Sequence, residues 1–100
     1  MNNNTRNSYK YLSTQALSQR AGLKAEAFKS RKHLMAFVAY LEGNLSGTEM
    51  RAYCKLVEAG GYYTADLLFT SHAILRTLIN KGWVISDAEM VNGEKAYKAL

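Results

Sequence analysis

Proline is missing from the 100 residues, cysteine occurs once and histidine twice. Without proline, no helix is stopped by a missing backbone N–H. Punctuation falls to glycine: Gly22, Gly43, Gly47, Gly60, Gly61, Gly82 and Gly93 divide the chain into short pieces. With Cys54 alone, no intrachain disulfide can form, so a reducing compartment is expected. His33 and His72 each stand apart, and no pair of His or Cys has metal-ligand spacing. The pair Gly60-Gly61 lacks the pattern of a phosphate-cradling loop. The most apolar run, Leu34 to Leu41, has eight residues, whereas a bilayer span needs roughly 20. The start lacks a charged-then-apolar secretory pattern. The expectation is a soluble, cytoplasmic protein that is not an enzyme, with no metal, no cofactor and no membrane partner.

Acidic residues are scarce in the first third. Residues 1–33 carry seven Lys or Arg against one Glu, whereas residues 34–100 carry six against seven Asp or Glu. The net charge of +5 therefore comes from the start of the chain. Such a cluster suits a polyanion, through attraction and counterion release; a solvated basic surface is the plainer reading.

What is present reads as one domain of short elements. Residues 1–10 are polar and Asn-rich and are expected to form a disordered tail. Ser13 to Ala21 reads as a helix capped by Ser13 or Thr14, and Lys24 to Glu42 as a longer one stopped by Gly43-Asn44. The apolar second half of that longer helix is expected to be buried, in the chain's own core or in a homodimer through helix 24–42. Ser46-Gly47-Thr48-Glu49 has capping-box form, with Leu45 and Met50 at the staple positions. Met50, Tyr53, Cys54 and Val57 then share one helical face, ended by Gly60-Gly61. Cys54 on that face reads as a small core residue. Thr64 can cap a very short helix, Ala65 to Phe69, and Thr70 or Ser71 another that runs to about Lys81. Trp83-Val84-Ile85 reads as a short strand, Asn92-Gly93 as a two-residue hairpin turn, and Glu94 to Leu100 as the returning strand.

The helix over 71–81 is divided lengthwise. Ile74, Leu75, Leu78 and Ile79 fall on one face; His72, Arg76, Thr77 and Asn80 fall on the other. A recognition helix needs this division, with one side packed and the other offering donors and acceptors to the major groove. Arg can read guanine with two hydrogen bonds and Asn can read adenine likewise. An ordinary amphipathic surface helix has the same pattern.

The order of elements adds to this. Thr64-Ala65-Asp66-Leu67-Leu68, then Ser71 to Leu78, then Asn80-Lys81-Gly82-Trp83-Val84-Ile85 and Asn92-Gly93-Glu94-Lys95-Ala96-Tyr97 resemble the winged helix-turn-helix DNA-binding families, including small bacterial regulators of the MarR-like kind. The resemblance covers about the last 55 residues. It implies a mainly α fold with a small β-hairpin, a winged-helix core over 45–100 and a basic helical extension over 11–44. It implies a small DNA-binding regulator of double-stranded DNA. Base contacts would come from His72, Arg76, Thr77 and Asn80, and a wing from Asn92, Gly93 and Lys95. Ser71 and Lys81 would hold phosphate, joined by Arg20, Lys24, Lys29, Arg31 and Lys32 of the basic third. Phosphate contacts of this kind set register and affinity rather than sequence choice.

Three alternatives stand beside this. Residues 14–28, with Leu17, Ser18, Gly22, Leu23 and Phe28, resemble the core of a simple helix-turn-helix. The hairpin holds Asp87, Glu89 and Glu94 against Lys95 and Lys98. Such a wing repels phosphate, which favours a protein-interaction module instead, such as a phage- or plasmid-encoded inhibitor of a host protein. Finally, Ser86-Asp87-Ala88-Glu89 is itself a capping-box pattern, so 86–100 could be helical in an all-helical bundle.

Overall fold

A computed structural model describes residues 4–66, 68–91 and 93–100, and for 87–91 the backbone only. Four helices and one small antiparallel sheet follow in the order α1 (Thr14–Ala21), α2 (Arg31–Leu41), α3 (Gly47–Ala59), β1 (Tyr63–Thr64), α4 (His72–Asn80), β2 (Val84–Val91) and β3 (Glu94–Ala99). The fold is mainly α with a small sheet.

Each helix starts where a serine can satisfy an unpaired N–H. Ser13 accepts from Ala16, Ser30 from His33, Ser46 from Glu49 and Ser71 from Ile74. At Ser46 the capping box is complete, because Glu49 Oε1 also accepts from the Ser46 N–H at 2.8 Å. Gly22 and Gly60 end α1 and α3 with φ of 72° and 75°, left-handed values that glycine adopts without strain.

The long helix expected over 24–42 is broken. Ala25–Ala27 is a single 3-10 turn, Phe28 is extended, and α2 begins only after the Ser30 cap. The extended backbone sets the Phe28 ring 5.3 Å from Phe37. That packing and the serine cap together outweigh the helix propensity of Lys24 to Lys29. The same break removes the simple helix-turn-helix over 14–28, since no second helix follows Gly22 there.

α1 packs on α2, α2 on α3, and α3 on both α4 and β3. The central place of α3 buries Ala52, Tyr53 and Leu56 outright and leaves Met50, Cys54 and Val57 half-buried at the core edge. Leu34, Met35, Ala36, Val38 and Ala39 of α2 are buried within the chain itself. Its own core accounts for most of the apolar run, and Tyr40 and Leu41 stay exposed.

The sheet has the order β1-β3-β2. Val84 pairs with Ala99 and Val91 with Glu94, so a two-residue turn closes the hairpin, with Gly93 at φ 78°. Asn92 lies outside the described residues. Residues 86–91 and 94–99 are strand, which removes the all-helical alternative. β1 was not expected: Tyr63 and Thr64 pair with Tyr97 and Ala96, so Thr64 is a strand residue and not a cap. Of the segment expected as a short helix, Ala65 to Phe69, Leu67 lies outside the described residues; around it are turns in which Leu68 and Thr70 donate to the Ala65 carbonyl and Phe69 to that of Asp66.

The N-terminal segment from Asn4 onward is not a free tail. Tyr9 is fully buried, 6.1 Å from the Trp83 ring, and its hydroxyl donates to Glu42 at 2.9 Å. Thr5 accepts the Trp83 indole N–H at 2.9 Å, and Arg6 donates its backbone N–H to the Lys81 carbonyl. Polar composition suggested disorder, but the buried Tyr9 ring and these bonds hold the segment on the core. Gly82 permits the approach, because a Cβ there would collide with the Asn4 side chain.

Candidate nucleic-acid interface

Helix α4 turns Leu75 and Leu78 into the core, with Ile74 and Ile79 packed at its edge. His72, Ala73, Arg76 and Asn80 are exposed and Thr77 is half-buried. The division expected from the sequence is the one observed.

Two clusters form on the exposed side. At the start of α4, His72 Nδ1 lies 2.8 Å from the Tyr97 hydroxyl of β3. Arg76 sits close enough to act electrostatically on the same phenol, and Lys95 Nζ lies 5.8 Å above its ring. Burial pushes the Tyr97 phenol upward, and the Arg76 charge partly offsets this. One helix and one strand thus bring together a guanidinium, an ammonium, an imidazole and a phenol. Arg76 has no carboxylate partner among the described residues. At the end of α4, Thr77, Asn80 and Lys81 line a polar cleft of about 500 Å³ with Asn4, Thr5, Ser8 and Asn44. The Thr77 hydroxyl is spent on the Ala73 carbonyl at 3.1 Å.

The residues expected to hold phosphate divide into two sets. Arg20 forms a bidentate pair with Glu42, at 2.8 and 2.7 Å, and lies over the Tyr9 ring. Lys29 reaches Glu58 at 2.6 Å, and that hydrogen bond holds the Glu58 carboxyl below its usual range. Arg31 donates to the carbonyls of Lys10 and Leu12 and to Thr14 Oγ1, so it ties the N-terminal segment to α2. Lys81 pairs with Glu49 at 2.7 Å, and Ser71 is spent as a cap. Lys24 and Lys32 are exposed. Lys32 shares a small groove with Lys98 at the far end of α3, whereas Lys81 marks the near end of that helix. Lys32 therefore lies away from the α4 face, whereas Arg20, through Glu42, Tyr9 and Asn44, adjoins the cleft at the end of α4.

Arg51, Lys55 and Phe69 were missed by the sequence reading. They line one groove of about 130 Å³ with Thr48, Ala52 and Thr70, beside the start of α4. The spacing of Arg51 and Lys55, four apart on the polar face of α3, is the signal that could have found the two cations.

Among the described residues no group of His, Cys, Asp and Glu is placed to hold a metal ion. Burial pushes the Cys54 thiol up to about 11, so it is protonated and a poor nucleophile at neutral pH. Among the described residues no helix is long and apolar enough to cross a membrane. Compared with known proteins, the chain matches no family model, no curated protein and no solved structure.

Proposed function

We propose that the chain is a small DNA-binding regulator of winged-helix form, which sets the exposed face of α4 in the major groove and uses the β2–β3 hairpin as a wing. The observation that carries this is the convergence of His72 and Arg76 of α4 with Lys95 of β3 around Tyr97. α3, a connection over 60–71 that carries β1 and turns in place of the short helix that was expected, an amphipathic helix, glycine and a hairpin keep part of the order noted in the sequence. Arg76 and Asn80 read bases, and Lys95, over the Tyr97 ring, supplies positive charge for phosphate.

The test is a titration against random and genomic duplex DNA at two salt concentrations. Arg76→Ala should cost about 1–3 kcal/mol on a preferred sequence and little on others. Lys95→Ala should weaken all sequences and flatten the salt slope. Absence of binding at low salt overturns the reading.

A second reading is a protein-interaction module without DNA binding. The engagement of Arg20, Lys29, Arg31 and Lys81 within the chain favours it, since a paired cation offers less to phosphate. The homodimer expected through helix 24–42 becomes, on either reading, a proposal for the exposed Tyr40 and Leu41 of α2.

A further inference from the structure

Phe69 is held in two unfavourable ways at once. Its backbone is left-handed, at φ 53°, the one such non-glycine residue among those described. Its side chain is 88% exposed, more than any other large apolar residue described. A β-carbon is strained in that conformation, and a phenyl ring gains nothing from water. The turn bonds from Phe69 to Asp66 and from Thr70 to Ala65 fix the arrangement, and Lys55 Nζ clamps the Leu68 carbonyl at 3.1 Å. An ordered, strained residue that adds nothing to the core points to use outside the fold.

Its neighbours indicate the use. Arg51 lies one helical turn before Lys55, is exposed, and has no carboxylate partner among the described residues. Thr48 and Thr70 add hydroxyls, and among the described residues no carboxylate lines the groove. We propose that Phe69, Arg51 and Lys55 form a site for single-stranded nucleic acid, with an unpaired base stacked on the ring and its flanking phosphates on the two cations. This is the combination of aromatic platform and positive groove that binds single strands without reading sequence. An acidic peptide fits less well. Peptide recognition needs a groove, a sheet edge or a pocket able to enclose side chains; this groove is only about 130 Å³ and its one large apolar side chain, Phe69, is exposed rather than enclosing. The site is separate from the α4 face and does not depend on it.

The experiment is anisotropy of a labelled oligothymidylate with the full chain at low and raised salt. The parent should bind in a salt-dependent way, and Phe69→Gly should weaken binding about tenfold or more. Glycine accepts the left-handed backbone, so the thermal midpoint should not fall. Phe69→Tyr should retain binding, and Arg51→Ala should weaken it and flatten the salt slope. Arg76→Ala should leave oligothymidylate binding intact while weakening duplex, which separates this site from the α4 reading. No binding by the parent, or equal binding by Phe69→Gly, overturns the proposal even if duplex binds. So does binding of a glutamate-rich peptide in place of the oligothymidylate.

Discussion

Phe69 and Trp83 mark the two extremes of aromatic placement in this chain. Trp83 is wholly buried, edge-on to Tyr53 at 5.1 Å, with its N–H satisfied by Thr5. Phe69 stands in solvent on a strained backbone. Removing the strain should stabilise the fold: Phe69→Gly is expected to gain about 1 kcal/mol, read as a higher thermal or urea midpoint. A clear loss would mean that the ring packs in solution. The sequence reading could place Trp83 in a strand, because it opens an apolar, partly β-branched stretch. It could not place Phe69, because Ala65 to Phe69 was expected to be helical, and a helix would have hidden both the left-handed φ and the projection. The tyrosines divide similarly. Tyr9 and Tyr53 are core residues whose hydroxyls reach Glu42 and the Leu100 carbonyl. Nothing local to Tyr9 reveals this, since the partners of its hydroxyl come from 33 or more positions away.

At the level of elements, caps were legible and long-range partners were not. Ser13, Ser46 and Ser71 start α1, α3 and α4 as local hydrogen bonding requires. Ser30 does the same for α2, but it sits inside a stretch whose composition alone favours one continuous helix. The strand β1 has only two residues and exists because β3 offers it an edge, which no local pattern announces. Glu49 combines both kinds of information. It closes the capping box with Ser46 and also pairs with Lys81 at the end of α4. Burial alone would raise its pKa, but the hydrogen bonds from Lys81 and the Ser46 N–H prevail and bring it below the ordinary 4.5. A carboxyl with a depressed folded pKa contributes stability above its unfolded pKa, and the contribution is lost as pH falls through the folded value. Glu49→Gln should therefore lower stability at neutral pH and flatten the decline on the acid side below about pH 4.5, measured by urea unfolding across pH. An unchanged acid limb would place the titration elsewhere.

Over the whole molecule, one core draws on every part of the chain. Tyr9, Leu17, Leu34, Met35 and Val38 share it with Tyr53, Leu56, Leu75, Leu78, Trp83 and Tyr97. The split into a basic extension over 11–44 and a separate unit over 45–100 followed charge and motif, which are blind to which apolar faces meet. A fragment of residues 45–100 should lack the Tyr9 and α2 side chains that cover α3 and Trp83. It is expected to show no cooperative unfolding transition, and its single tryptophan should emit to the red of that in the full chain. Charge was legible as a tally but not as a surface, because Arg20, Lys29 and Lys81 meet acids that lie 22, 29 and 32 positions away.

Trp83 also receives both ends of the described chain. Its indole donates to Thr5 near one end, and its carbonyl accepts from the Leu100 N–H at the other. Trp83 thus ties the N-terminal segment to the last strand, beside the Arg6–Lys81 and Tyr53–Leu100 bonds. Loosening Thr5 from the indole is expected to be felt at Leu100, so the two ends of the described chain are energetically linked.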